Sequence, residues 1–139
     1  MFLEDYAFLI NALNDLSDKT MNFKYKDYAN KLSNEAFLKF YVKEKNIFQK
    51  NQIDNNDIFF NPIDIGDNTI PNGNAMMLIN LVRLGMMKEA KILSDSLNGY
   101  LNIYQNHMMT AVRALDYFNN INSGKKCTEQ GCKIDETKN

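Results

Sequence analysis

The chain has 139 residues, 45% of them apolar, and a net charge of −1 from 16 Lys and Arg against 17 Asp and Glu; that suffices for one domain with a real core and is small for a multi-layer enzyme. The balanced charge lacks the basic footprint that nucleic acid or an anionic membrane surface requires, so neither is an expected partner. No run reaches the roughly 18 uninterrupted apolar residues of a membrane span, and Glu4 and Asp5 stand where a secretory signal would be basic, so the expected setting is cytoplasmic.

Helical spacing begins at once. Phe2, Leu3, Tyr6, Ala7, Leu9, Ile10, Leu13 and Leu16 recur at intervals of three and four, broad enough to cover more than one face and to predict a mostly buried first helix. After a break at Ser17-Asp18-Lys19-Thr20, a second helix is predicted over about Lys24 to Glu44. Its stripe of Tyr25, Tyr28, Ala29, Leu32, Ala36, Phe37, Phe40 and Tyr41 opposes a Lys/Asn/Glu face, the pattern of an amphipathic outer helix.

From Asn46 to Pro71 the helical period is lost. Ile58-Phe59-Phe60 and Ile63-Asp64-Ile65 between Asn/Asp-rich turns predict a short β-hairpin or a long loop, and a connection of ~25 residues is too long for an idle one. A third helix opens at Asn72-Gly73-Asn74, is apolar on almost every side, and stops at Gly85. A fourth, amphipathic helix runs over about Met87 to Gln105, where Gly99 is a candidate interruption, and a fifth over about Asn106 to Asn119. Residues 121–139 are polar and read as a flexible tail with a cysteine pair, leaving 1–120 as the folded domain.

Buried helices alternating with amphipathic ones predict an all-α fold of stacked αα-hairpins in two layers, part of an α/α toroid or solenoid. In such an array the inner helices run parallel, so the starts of the first and third helices and the 46–71 loop share one end.

Several blocks, in order, resemble a known family. These are Leu3-Glu4-Asp5-Tyr6-Ala7-Phe8, Asp67 with Pro71-Asn72-Gly73-Asn74, Leu81-Val82-Arg83-Leu84, Ala114-Leu115-Asp116-Tyr117-Phe118, and Cys127 with Cys132. Together they resemble the C-terminal part of the thioredoxin domain-containing family that includes spermatogenesis-associated protein 20 and the bacterial YyaL-like proteins. Where the family carries serines around this Asn, the chain has Asn72 and Ala75. The resemblance implies a segment of a toroid similar to six-hairpin glycosidases and N-acylglucosamine 2-epimerases, with the thioredoxin-like domain and the earlier hairpins lying outside this chain. It also implies carbohydrate-related chemistry, a sugar-like ligand and no cofactor. Whether the chain is an enzyme stays open: any glycosidase- or epimerase-like activity would belong to a larger assembly.

On that reading the candidate catalytic acids are Asp5 and Glu4. Both would also be stabilised at a helix N-terminus in any protein. Adjacent residues diverge by ~100° on a helix, so only one can face the mouth of the array, and Asp5 with Tyr6 beside it is the expected one. Tyr6, Asp67, Asn72, Gly73 and Asn74 are the candidate ligand-binding residues. Their amides suit hydroxyl-rich ligands because they donate and accept, although the same residues also suit loop and capping work. Cys127 and Cys132 are a candidate redox pair or two unpaired thiols. Even with the lone His107 they provide only three ligands, so no zinc site is expected. A second expectation comes from another class: a noncatalytic interaction module, a split-gene product whose exposed inner-helix faces dock on a protein partner or self-associate.

Overall fold

The computed structural model describes residues 1–53, 63, 65–128 and 131–134. Among them are five α-helices: α1 (Leu3–Thr20), α2 (Phe23–Phe40), α3 (Gly73–Leu84), α4 (Met87–Leu101) and α5 (Met109–Asn122). Two antiparallel hairpins join them, β1 (Tyr41–Val42) with β2 (Ile47–Phe48), and β3 (Lys125–Thr128) with β4 (Gly131–Ile134). The chain is predominantly helical, in keeping with the all-α expectation. No helix among the described residues is long and apolar enough to cross a membrane.

α3 is the central element. It packs against α1, α4 and α5, while α2 lies against α1 and α4 also touches α5. Its residues Gly73, Asn74, Ala75, Met77, Leu78, Asn80, Leu81 and Val82 are all buried, so nearly every side of the helix is covered, as its apolar sequence requires. Met77, Leu78 and Leu81 join Ala7 and Ile10 of α1, Leu93 and Leu97 of α4, and Ala111, Ala114 and Phe118 of α5 in one core. Each large aliphatic side chain there stabilises the fold by roughly 1.5–3 kcal/mol relative to exposure.

Three contacts fix the direction of α1 relative to α3. Gly73 touches Leu3, the Asn80 side-chain amide donates to the Ala7 carbonyl at 2.8 Å, and the Arg83 guanidinium meets Asp15 and Asp18 at 2.7 Å each. Advancing along α3 therefore advances along α1, so the two helices run parallel and their N-termini sit together.

The helix ends follow local chemistry. Asn22 caps α2 through its side chain, which accepts from the Lys24 amide at 3.1 Å. α3 ends in a left-handed residue, Gly85 at φ 78°, whose N–H donates to Val82 while Met86 donates to Leu81. This paired arrangement stops a helix and turns the chain sharply, and glycine adopts it without steric cost. α4 starts two residues later.

Several sequence expectations need adjustment. α1 is amphipathic, with Leu9 and Leu16 well exposed, and its main packing is against α2 and α3. α2 ends at Phe40 instead of Glu44. Tyr41 leaves the helix to stack with Phe37 and Phe48, the three ring centroids lying 4.9–5.1 Å apart, and Asn46 in a left-handed conformation turns the β1–β2 hairpin. That hairpin precedes the excursion expected at Ile58–Ile65, most of which lies outside the described residues. Gly99 does not interrupt α4, which ends at Leu101 before a short 3-10 turn at Gln105–His107. α5 extends to Asn122, and β3 and β4 occupy part of the segment read as a tail.

Candidate functional site

The common N-terminal end of α1 and α3 is built from three strips of chain. The first is the start of α1, where the Leu3 amide, a helix-end donor with no intrahelical partner, donates to the Lys50 carbonyl at 3.0 Å. The second is β2 and the residues after it: Gln49 N–H donates to Phe40 and Ile53 N–H to Lys39, which hold this strip against the end of α2. The third is the 66–72 loop leading into α3.

A cavity of about 220 Å³ opens between these strips. Glu4 and Lys50 line one side, and Gly66 with residues 68–72 the other. Its volume lies below the roughly 300–1,000 Å³ of sites for drug-sized molecules, which suits a compact ligand.

Glu4 supplies the site's most distinctive chemistry. Its side chain is only 12% exposed; Oε1 stands 3.8 Å from Lys50 Nζ, whereas Oε2 is buried with no hydrogen-bond partner. A buried carboxylate oxygen without a donor costs roughly 1–3 kcal/mol or more, so this side chain is held at a cost in a place that borders a cavity. The site thus carries a carboxylate and an ammonium of opposite charge on one wall.

Asp5 is placed differently. It is exposed, and its Oδ2 accepts from the Phe2 backbone N–H at 2.7 Å. This is the reach-back half of a capping box, made by the third helical residue to the residue before the helix; Phe2 has no side-chain acceptor to return the other half. The carboxylate is thereby held on the α1 cap and does not line the cavity.

Tyr6 is turned to the opposite side of α1. It is buried, lies edge-on to Phe40 at 5.3 Å, donates its hydroxyl to Glu35 Oε1 at 2.7 Å and accepts from Lys39 Nζ at 2.9 Å. Hydrogen bonds from Lys39 and Tyr6 hold the Glu35 carboxyl below its ordinary range, and the bond to Glu35 raises Lys39 in turn.

Asp67 braces the loop. Its Oδ1 accepts from the Asn72 amide at 3.0 Å, its Oδ2 from the Thr110 amide at 2.7 Å, and its own N–H donates to the His107 carbonyl at 2.6 Å. Thr110 is in the first turn of α5, a helix whose flanking residue Met108 has no capping side chain, so Asp67 caps it from 43 residues away.

Asn72 caps α3, its Oδ1 accepting from the Ala75 amide at 3.1 Å, and also borders the cavity. Gly73 follows, and a Cβ built there would lie 3.1 Å from Leu3 Cδ2 and 3.4 Å from Glu4 Cγ. That close approach brings the two helix starts together. Asn74 is fully buried, with its amide on the Phe48 backbone.

Of the residues the sequence singled out, Glu4 and Asn72 meet at the cavity, Gly73 and Asp67 shape it, Asn74 is committed to the core, and Asp5 and Tyr6 lie outside it. Cys127 and Cys132 are on the β3–β4 hairpin after α5. Sequence reasoning missed Lys50, which enters through a backbone bond to α1 that no local pattern signals. It also favoured Asp5 over Glu4, although counting helix positions from Phe2 assigns Asp5 to the reach-back cap. Among the described residues, no group of three or more His, Cys, Asp or Glu side chains is placed to hold a metal ion. No protein-family model matches the chain, and no curated protein matches it.

Proposed function

We propose that this chain is a helical-hairpin module that binds a small, uncharged, hydroxyl-rich ligand, a sugar or sugar-like polyol, in the cavity between Glu4, Lys50 and the 66–72 loop. The observation that carries this reading is Glu4 on the wall of that cavity, a largely buried carboxylate whose Oε2 has no hydrogen-bond partner among the described residues. A carboxylate accepts from hydroxyl groups without a proton-transfer cost, which suits Glu4 to a ligand rich in hydroxyls. The parallel course of α1 and α3, with a shared N-terminal end, supports the further reading of the fold as part of an α/α toroid similar to that of the thioredoxin domain-containing family. The function assigned is binding, and no reaction is assigned to Glu4.

The test is an amide-resolved NMR titration of the whole chain with a panel of neutral monosaccharides and linear polyols. Saturable shifts centred on Glu4, Lys50 and residues 68–72 are expected with at least one of them. An unperturbed cavity with every compound would overturn the proposal.

A second reading is favoured by one observation. Phe2 at the α1 cap and Leu9 and Leu16 within α1 are 49%, 44% and 45% exposed at seven-residue spacing, and Met109 and Val112 are exposed on α5. An apolar stripe of that kind suits packing against another helix, and a second copy of the chain offers one. Light scattering after size-exclusion chromatography separates the cases: a mass that rises with concentration supports association, and one monomeric mass throughout removes it.

A further inference from the structure

The β3–β4 hairpin pairs Lys125 with Ile134, Lys126 with Lys133, Cys127 with Cys132 and Thr128 with Gly131. Two residues separate the closing pair, Thr128 and Gly131, so that pair takes the hydrogen-bonded position. The next pair, Cys127 opposite Cys132, then takes the non-hydrogen-bonded position. Cα atoms in such a pair stand about 4.5 Å apart, at the short end of the roughly 4.4–6.8 Å that a disulfide spans. A slip of one residue in register would leave the cysteines diagonal to each other. α5 closes just before the hairpin, where Ser123 N–H donates to Asn119 and Gly124 N–H to Ile121, both at 3.0 Å, and the chain then enters β3.

We infer that Cys127 and Cys132 form a reversible dithiol/disulfide couple that closes across the β3–β4 hairpin, a redox-responsive staple on the segment following α5. This goes beyond the ligand cavity and does not depend on it. The co-reactant is a low-molecular-weight disulfide of the oxidised-glutathione class. One cysteine thiolate attacks a glutathione sulfur, the glutathione S–S bond breaks, and one glutathione thiolate leaves with a mixed disulfide behind it. The second cysteine thiolate attacks the protein sulfur of that mixed disulfide, forming the Cys127–Cys132 bond and expelling the second glutathione. Two electrons pass from the cysteines to glutathione disulfide, and the two thiol protons end on the two glutathiones released. Because the ring enclosed is small, closure constrains the unfolded chain little. Such a bond is suited to opening and closing more than to permanent reinforcement.

The experiment equilibrates the full chain in graded mixtures of reduced and oxidised glutathione, quenches in acid, and determines the state of the peptide Cys127–Lys133, which trypsin releases with both cysteines in it. The expected product is this peptide two hydrogens lighter, on a monomeric chain, with no accumulated glutathione adduct. Cys127→Ser should instead retain one glutathione on Cys132, because the resolving thiol is gone. Cysteines with four residues between them also meet in an unfolded chain, so the same titration is run in urea. With the two cysteines opposite each other across the hairpin, the folded chain should favour the disulfide by at least about tenfold over the unfolded one. Equal disulfide content with and without urea, stable glutathione adducts on the wild-type chain, or disulfide-linked dimers would each overturn the inference.

Discussion

The side-chain amide of Asn74 pairs with both backbone groups of Phe48, accepting from its N–H and donating to its C=O, each at 2.9 Å. The contact acts as one rung of a β-ladder made by a side chain: it satisfies a buried strand residue and ties β2 to the start of α3. Phe48 and Asn74 are both fully buried, so no water replaces either bond. Asn74→Ala should destabilise the fold by about 2–4 kcal/mol, because two buried backbone groups lose their partners. Asn74→Asp retains the acceptor, loses the donor and buries a charge, and should cost at least as much. Urea unfolding of the two variants against wild type measures both values.

Gly73 tests how closely α1 and α3 must approach. An alanine Cβ there meets Leu3 Cδ2 at 3.1 Å and Cγ at 3.2 Å. Leu3 is itself only 2% exposed, so it has little room to yield. Overpacking should outweigh the helix-propensity gain, and Gly73→Ala is expected to cost about 1–2 kcal/mol. Thermal unfolding monitored by circular dichroism gives the sign.

Asp67 joins the cavity loop to α5. Asp67→Ala removes the side-chain oxygens that accept from the Thr110 and Asn72 amides and should lower stability by about 1–2 kcal/mol. Hydrogen exchange distinguishes this from general loosening. Protection at Thr110 and Asn72 should fall most, while the Leu78 and Leu81 amides in the middle of α3 should change only as global stability changes.

The Tyr6–Glu35–Lys39 contact carries a pH dependence. Hydrogen bonds from Lys39 and Tyr6 depress the Glu35 carboxyl in the folded chain, so its stabilising contribution is present above the unfolded value and is lost as pH falls through the folded one. Lys39 is raised, first by Glu35 and then by Tyr6, so its contribution is present below the unfolded value and is lost as pH rises through the folded one. A carboxyl-detected NMR titration should find Glu35 titrating below ordinary glutamates, and Tyr6→Phe should move it back toward them.

Much of the helical framework was legible because it rests on local signals. Asn72 capping α3, Gly85 ending it and the apolar positions that make it central all act within a few residues of themselves. What escaped depends on distant partners. The periodicity of α2 runs through Tyr41, and only stacking on Phe48 draws that residue out of the helix. Nothing near Asn74 signals an amide committed to Phe48, 26 residues earlier. The candidate site was half legible for the same reason. The two helix starts were identifiable, but the choice of Glu4 over Asp5 follows from the Phe2 cap, and Lys50 arrives through the backbone bond to Leu3.

The most direct test of the ligand cavity is isothermal titration calorimetry of wild type, Glu4→Gln and Asp5→Ala with the strongest-binding neutral sugar or polyol of the NMR panel. Glu4→Gln keeps the side chain's size and removes its charge, so affinity should fall about tenfold or more, in line with the roughly 1.5–3 kcal/mol of a charge-assisted hydrogen bond. Asp5→Ala, a change at the helix cap outside the cavity, should bind within about threefold of wild type at a temperature where both are folded. Equal affinity for wild type and Glu4→Gln, or loss on Asp5→Ala with Glu4→Gln unaffected, would contradict the account.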